Sequence, residues 1–197
     1  MDETRFRIAI DLFDQANAED PNAEIVDGVA QPRELVYARR MTTRLERFAP
    51  DASEPLRLAV RGQHIRRWTT PRSAYPPGRA GYHAWRRSLA AFHAETAGAL
   101  LAEAGYDRQT VRRVRALVQK EGLATDAETQ TLEDVACLVF LEHYAADFAA
   151  RHDEAKCVGV LRKTWRKMSE RAHAFALSGK VRLPEPLLPL IQKAVAT

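Results

Sequence analysis

Between Pro55 and Ala94 the chain contains no aspartate, no glutamate and no lysine. A stretch without carboxylates cannot neutralise its own arginines, so those side chains must meet acids from elsewhere in the chain or an anion from outside. Long apolar runs are missing too, which excludes a membrane-spanning helix. No segment alternates with period two for long enough to argue a strand, and that leaves helix as the repeating element. Cysteine is scarce: Cys137 and Cys157 are the only two, and their apolar helical settings read as buried reduced thiols rather than a disulfide. Met1 to Arg5 offer neither a basic region nor an apolar core, so no export signal is expected and the cytoplasm is the expected compartment.

What is present is an ordinary globular composition, 46% hydrophobic and 28% charged over 197 residues, which suits one domain spanning 1–197. The acid-free stretch holds eight arginines (Arg57, Arg61, Arg66, Arg67, Arg72, Arg79, Arg86, Arg87), so against a chain total of +4 the remainder is acidic. Positive charge gathered in one place fits a pocket for a small anion better than a broad nucleic-acid face. Nucleic acid stays an alternative, because arginine interleaved with Trp68, Tyr75 and Trp85 also suits a stacked single strand.

Apolar spacing predicts an all-α bundle of about eight helices. The first covers Thr4 to Ala18. The second follows Pro32 and stops near Pro50. Ser53 is a predicted N-cap for a third helix running to about Trp68, on which Leu56, Val60 and His64 share a stripe, with Arg61 one turn from His64. A Pro/Gly-rich elbow, Pro71 to Gly81, leads to a long helix over about Ala80 to Ala104, whose apolar face carries His93. Asp107 caps the next helix, which closes at Gly122, and Thr125 or Asp126 starts one that is apolar on nearly all sides. Asp134 lies within that helix, and a buried carboxylate there needs a metal, an arginine or a capping role. Two further helices are expected, at about Asp153 to Leu177 and after Pro186.

His64, His93 and Asp134 thus form a candidate metal set. Imidazole and carboxylate are the donors that zinc, manganese or iron accept with positions left open for water, and a divalent ion would acidify bound water into a nucleophile. Each of the three alone is equally well a hydrogen-bonded core side chain. Arg61, Arg66 and Arg72 are candidate anion clamps, while Arg79, Arg86 and Arg87 read as solvated. Trp68 could stack on a base, although core packing suits it as well.

The order His64, Phe92-His93-Ala94-Glu95, Gly105-Tyr106-Asp107 and Leu132-Glu133-Asp134 resembles the HD-domain superfamily. That resemblance implies an all-α fold and a metal-dependent phosphohydrolase acting on a small phosphorylated or nucleotide substrate, or less often a non-haem iron oxygenase. His64, His93 and Asp134 would then hold the ion, Glu95 or Glu133 would act as general base, and Arg61, Arg66 and Lys120 would bind phosphate. The chain departs from the pattern at Ala94, where the superfamily has aspartate; Glu95 stands about 200° further round a regular helix and does not simply replace it. Gln63-His64-Ile65-Arg66-Arg67-Trp68, Leu132-Glu133-Asp134 and Lys163-Thr164-Trp165-Arg166-Lys167-Met168-Ser169 resemble more closely domain of unknown function 4202, a likeness that covers almost the whole chain.

Overall fold

In the structure, a computed structural model that describes residues 2–195, helix dominates as the spacing predicts. Helix α1 (Glu3–Ala18) is capped by the Asp2 carboxylate and turns Ala9, Phe13 and Ala16 inward. A short antiparallel hairpin follows, β1 (Ala23–Val26) and β2 (Val29–Pro32), with Val26 opposite Val29. This hairpin was not expected, since its strands are too short to show a period. Its signal is the Asp27-Gly28 turn, where both residues adopt positive φ (52° and 79°), the geometry that a two-residue hairpin requires.

Helix α2 (Arg33–Phe48) starts where Asp20, fourteen residues earlier, accepts the Glu34 backbone N–H at 3.0 Å. Helix α3 (Glu54–Gly62) begins at the predicted Ser53 cap but stops six residues short of the predicted Trp68. Gly62 allows it to lie close to its neighbours: a methyl there would stand 3.3 Å from the Ala97 Cβ. Beyond it Arg66 takes the left-handed conformation (φ 50°), held by Asn17, whose side-chain oxygen accepts the Arg66 N–H at 3.0 Å. His64 therefore stands in a turn, not on a helical stripe.

Helix α4 (Gly78–Glu103), α5 (Arg108–Gln119) and α6 (Ala127–His143) follow, the last two capped by Asp107 and Asp126 as expected. Helices α7 (Ala145–Ala149), α8 (Glu154–Trp165), α9 (Glu170–Leu177) and α10 (Leu188–Val195) complete the chain. The helices exceed the expected eight because α7 is additional and because the predicted helix over Asp153–Leu177 breaks before Ser169, whose hydroxyl caps α9.

Helix α3 is the hub, lying against α1, α2, α4, α5 and α6. Its Leu58, Ala59 and Val60 are fully buried in a continuous core with Phe13, Met41, Leu101, Leu117 and Leu138. Cys137 and Cys157 are both buried and unbonded. Among the described residues no helix is long and apolar enough to cross a membrane.

Candidate functional site

The turn after α3 and the inner face of α4 meet at two imidazoles. His93 is 3% exposed, and its Nδ1 lies 2.8 Å from the Ile65 carbonyl oxygen. A carbonyl can only accept, so Nδ1 carries the proton and the neutral ring keeps a lone pair on Nε2. That Nε2 is buried without a partner. The His64 ring stands 5.8 Å away, centroid to centroid, and stacks nearly parallel on Tyr37 at 4.2 Å. Its Nδ1 is 3.5 Å from a Glu34 carboxylate oxygen, and its Nε2 is 3.4 Å from an Arg67 guanidinium nitrogen. Since guanidinium only donates, the proton of neutral His64 belongs on Nδ1, facing Glu34.

Both rings border a cleft of about 280 Å³. Its cations are Arg67 from the turn, Arg86 and Arg87 from α4, and Lys120 from the end of α5; Gln63 and His83 also line it, and no carboxylate does. Gln63 gives an N–H to the Tyr37 hydroxyl at 2.9 Å, which leaves its side-chain oxygen buried and unpaired. Arg67 also lies over the Trp85 ring, 5.0 Å from its centre. Behind Lys120, Glu133 is buried and ion-pairs with both Lys120 and Lys167.

Burial sets the protonation of these groups, and the cations adjust it. Desolvation pushes His93 down to about 4, with Arg67 and Arg86 lowering it further against the Ile65 carbonyl. His64 is lowered well below its ordinary range by burial first, then by Arg67 and His93. Glu34 moves the other way, raised by burial to about 7, with Arg67 as the chief opposing influence. Burial would raise Glu133 as well, but Lys120 and Lys167 outweigh it and hold the carboxylate below its ordinary range.

The other candidates separate from this cleft. The Asp134 oxygens accept from the Ser169 N–H (2.8 Å), the Ser169 hydroxyl (2.6 Å) and the Gln130 amide (2.9 Å), so the third member of the predicted metal set is engaged at the start of α9. Arg61 does not line the cleft and instead grips Asp14 of α1 with two bonds of 2.8 and 2.7 Å. Arg66 pairs with Glu19, and Arg72 holds the elbow by donating to the carbonyls of Tyr75 and Pro76. Glu95 is exposed and paired with Arg115, while Trp68 is half-buried in the turn and does not line the cleft. Lys120 alone of the predicted substrate-binding residues lines it. Glu34, Tyr37, Arg67 and Arg86 are the partners that sequence reasoning missed or set aside.

The divalent ion implied by the resemblance can be tested against these side chains. Among the described residues no group of three or more His, Cys, Asp or Glu side chains stands together as a ligand set. The His64 lone pair already faces a guanidinium, and Asp134 is committed elsewhere. As the side chains stand, they do not fit a three-ligand metal centre.

The sequence from residue 7 to residue 191 matches the family described as domain of unknown function (DUF4202). The chain belongs to the DUF4202 family. In this DUF4202 protein the matched span includes every residue of the cleft. No curated protein and no solved structure matches the chain.

Proposed function

We propose that the protein binds a small phosphorylated compound in the cleft beside His64 and His93 and hydrolyses its phosphate ester, with His93 as the proton-transfer group. The observation that carries this reading is a cleft lined by four permanent cations and no carboxylate, bordered by His93, whose Nε2 lone pair is buried without a partner. Arg67, Arg86 and Lys120 are the phosphate holders. Guanidinium matches phosphate bidentately and lysine adds a point charge.

A base held at about 4 is weak, but the empty cleft is not the working state. A bound phosphate sets negative charge against the Arg67, Arg86 and Arg87 cations of the cleft, and an opposite charge within about 4–6 Å favours the protonated imidazole, raising its affinity for a proton toward neutrality. Water then gives its proton to His93 Nε2 as its oxygen bonds to phosphorus. The bond from phosphorus to the leaving oxygen breaks, and that oxygen takes the proton back from the imidazolium. The HD-like character of the sequence motivates the ester-hydrolysing class, but the metal step of that class is not part of this reading.

The test is phosphate release from a panel of phosphomonoesters by the full chain, with and without chelator, beside calorimetric binding of inorganic phosphate. The expected result is release that survives chelator, falls by about 10²–10⁴ in His93→Gln, and needs Arg86 for binding. Binding without release from any ester would assign a phosphate-binding protein that is not an enzyme. Activity lost to chelator and restored by manganese or zinc would return a metal to the site. Failure of every phosphate to bind or stabilise the protein would refute the reading.

A further inference from the structure

A second cleft, of about 260 Å³, lies on the far side of His64 and Arg67, and those two side chains line both. Its character is different: Tyr37, Phe140 and Tyr144 provide aromatic walls, and Glu34 is the one carboxylate bordering either cleft. The rings form a file across the divide. His93 to His64 is 5.8 Å between centres, His64 to Tyr37 is 4.2 Å at 11° between planes, and Tyr37 to Tyr144 is 6.0 Å at 45°.

We propose that the two clefts are compartments of one site, taking a phosphorylated compound whose body is a planar aromatic ring bearing N–H donors. The proposal rests on the phosphate reading of the cationic cleft and adds to it the class of the substrate's other half. The phosphate lies against Arg86 and Lys120, the ring among Tyr37, Phe140 and Tyr144, and the His64–Arg67 pair sits at the junction. Each compartment alone falls just below the size usual for a small-molecule pocket, whereas together they fall within it. Flat ring walls reward a flat ligand, because stacking on aromatic side chains tolerates any ring with a π face. Glu34 supplies the selectivity within that class. Its backbone is pinned by Asp20 and its side chain is buried beside His64, so its carboxyl group is held in place at the ring edge and keeps an acceptor oxygen in either protonation state.

The experiment is calorimetry on the full chain with four probes: inorganic phosphate, glycerol 3-phosphate, phenyl phosphate and guanosine 5′-monophosphate. Phenyl phosphate is expected to bind at least about tenfold tighter than glycerol 3-phosphate, and the guanine nucleotide, with N–H donors on its ring, tighter again. Phe140→Leu should bring phenyl phosphate close to glycerol 3-phosphate and leave inorganic phosphate unchanged. Glu34→Gln should remove the advantage of the nucleotide over phenyl phosphate. Glycerol 3-phosphate binding as tightly as the ring phosphates would overturn the proposal while leaving the phosphate site intact. If none of the four binds, the phosphate reading itself has failed and the proposal with it. The wild-type series decides the matter even where a variant does not fold.

Discussion

Replacing Asp134 by alanine is expected to destabilise the fold strongly and to have no effect on metal content. The Asp134 side chain is 2% exposed and accepts both the N–H and the hydroxyl of Ser169. Hydrogen bonds to a charged group contribute about 1.5–3 kcal/mol each, and a donor left without a partner away from water costs about 1–3 kcal/mol. Set against the relief of no longer burying a carboxylate, the net loss is about 3 kcal/mol, which in a protein of this size lowers Tm by about 6–12 °C. The assay is thermal unfolding followed by circular dichroism, with a urea double-mutant cycle against Ser169→Ala. Ser169→Ala alone should cost about 1–2 kcal/mol, because its hydroxyl also caps α9 at the Ala172 N–H. The two changes should be non-additive by about 1–2 kcal/mol, as expected for partners in one network. A stability within about 0.5 kcal/mol of wild type, or additive losses, would refute the structural role.

Sulfate affinity should rise as pH falls from about 7 toward 4, because sulfate stays doubly charged while His93, held at about 4 when the cleft is empty, gains a proton on binding; the slope should reach at most about tenfold per pH unit and flatten in His93→Gln, and a pH-independent affinity would contradict it. Without ligand, His93 contributes stability that is whole above its ordinary 6.5 and lost as pH drops through 6.5 to about 4, whereas Glu34, raised from 4.5 to about 7, contributes stability present below 4.5 and lost as pH rises through 7. The two oppose each other, so Glu34→Gln should steepen the acid loss of Tm between pH 6.5 and 4.5; an unchanged profile would count against the assignment. Arg61→Met should cost about 1–3 kcal/mol in urea unfolding by removing both guanidinium bonds to Asp14, which keeps only Arg39 at 4.0 Å, without changing phosphate affinity. Arg72→Gln should open the elbow, seen as faster limited proteolysis between residues 75 and 78, with little change in Tm.

Local signals were legible in the sequence and long-range pairings were not. Ser53, Asp107 and Asp126 could be read as caps because the bond each makes closes within three residues. The approach of His64 to His93 was legible too, although for an incomplete reason: the stripe that would have aimed His64 inward ends at Gly62, and the left-handed turn at Arg66 delivers the ring instead. The fate of the arginines was hidden. Arg61 and Arg66 look unopposed in their own stretch, and their acids, Asp14 and Glu19, lie on or just after a helix 47 residues earlier. Glu34 and Tyr37 escaped notice for the converse reason, since α2 reads as an ordinary amphipathic helix until its first turn is seen to face the imidazoles. For Asp134 the requirement for a partner was legible from burial alone, whereas the choice of a capping role depended on a helix break at Ser169 that spacing did not reveal.

The bond that fixes the His93 tautomer ends on main chain. Any residue at position 65 presents the same oxygen, so exchanging Ile65 for another apolar side chain leaves the identity of the bare nitrogen untouched. Lengthening or shortening the chain by one residue between Gly62, the end of α3, and Ile65 would instead carry that oxygen out of reach and let the imidazole proton migrate. The chemical state of the cleft is therefore written in a segment's length, and a library varying side chains alone would not find the control.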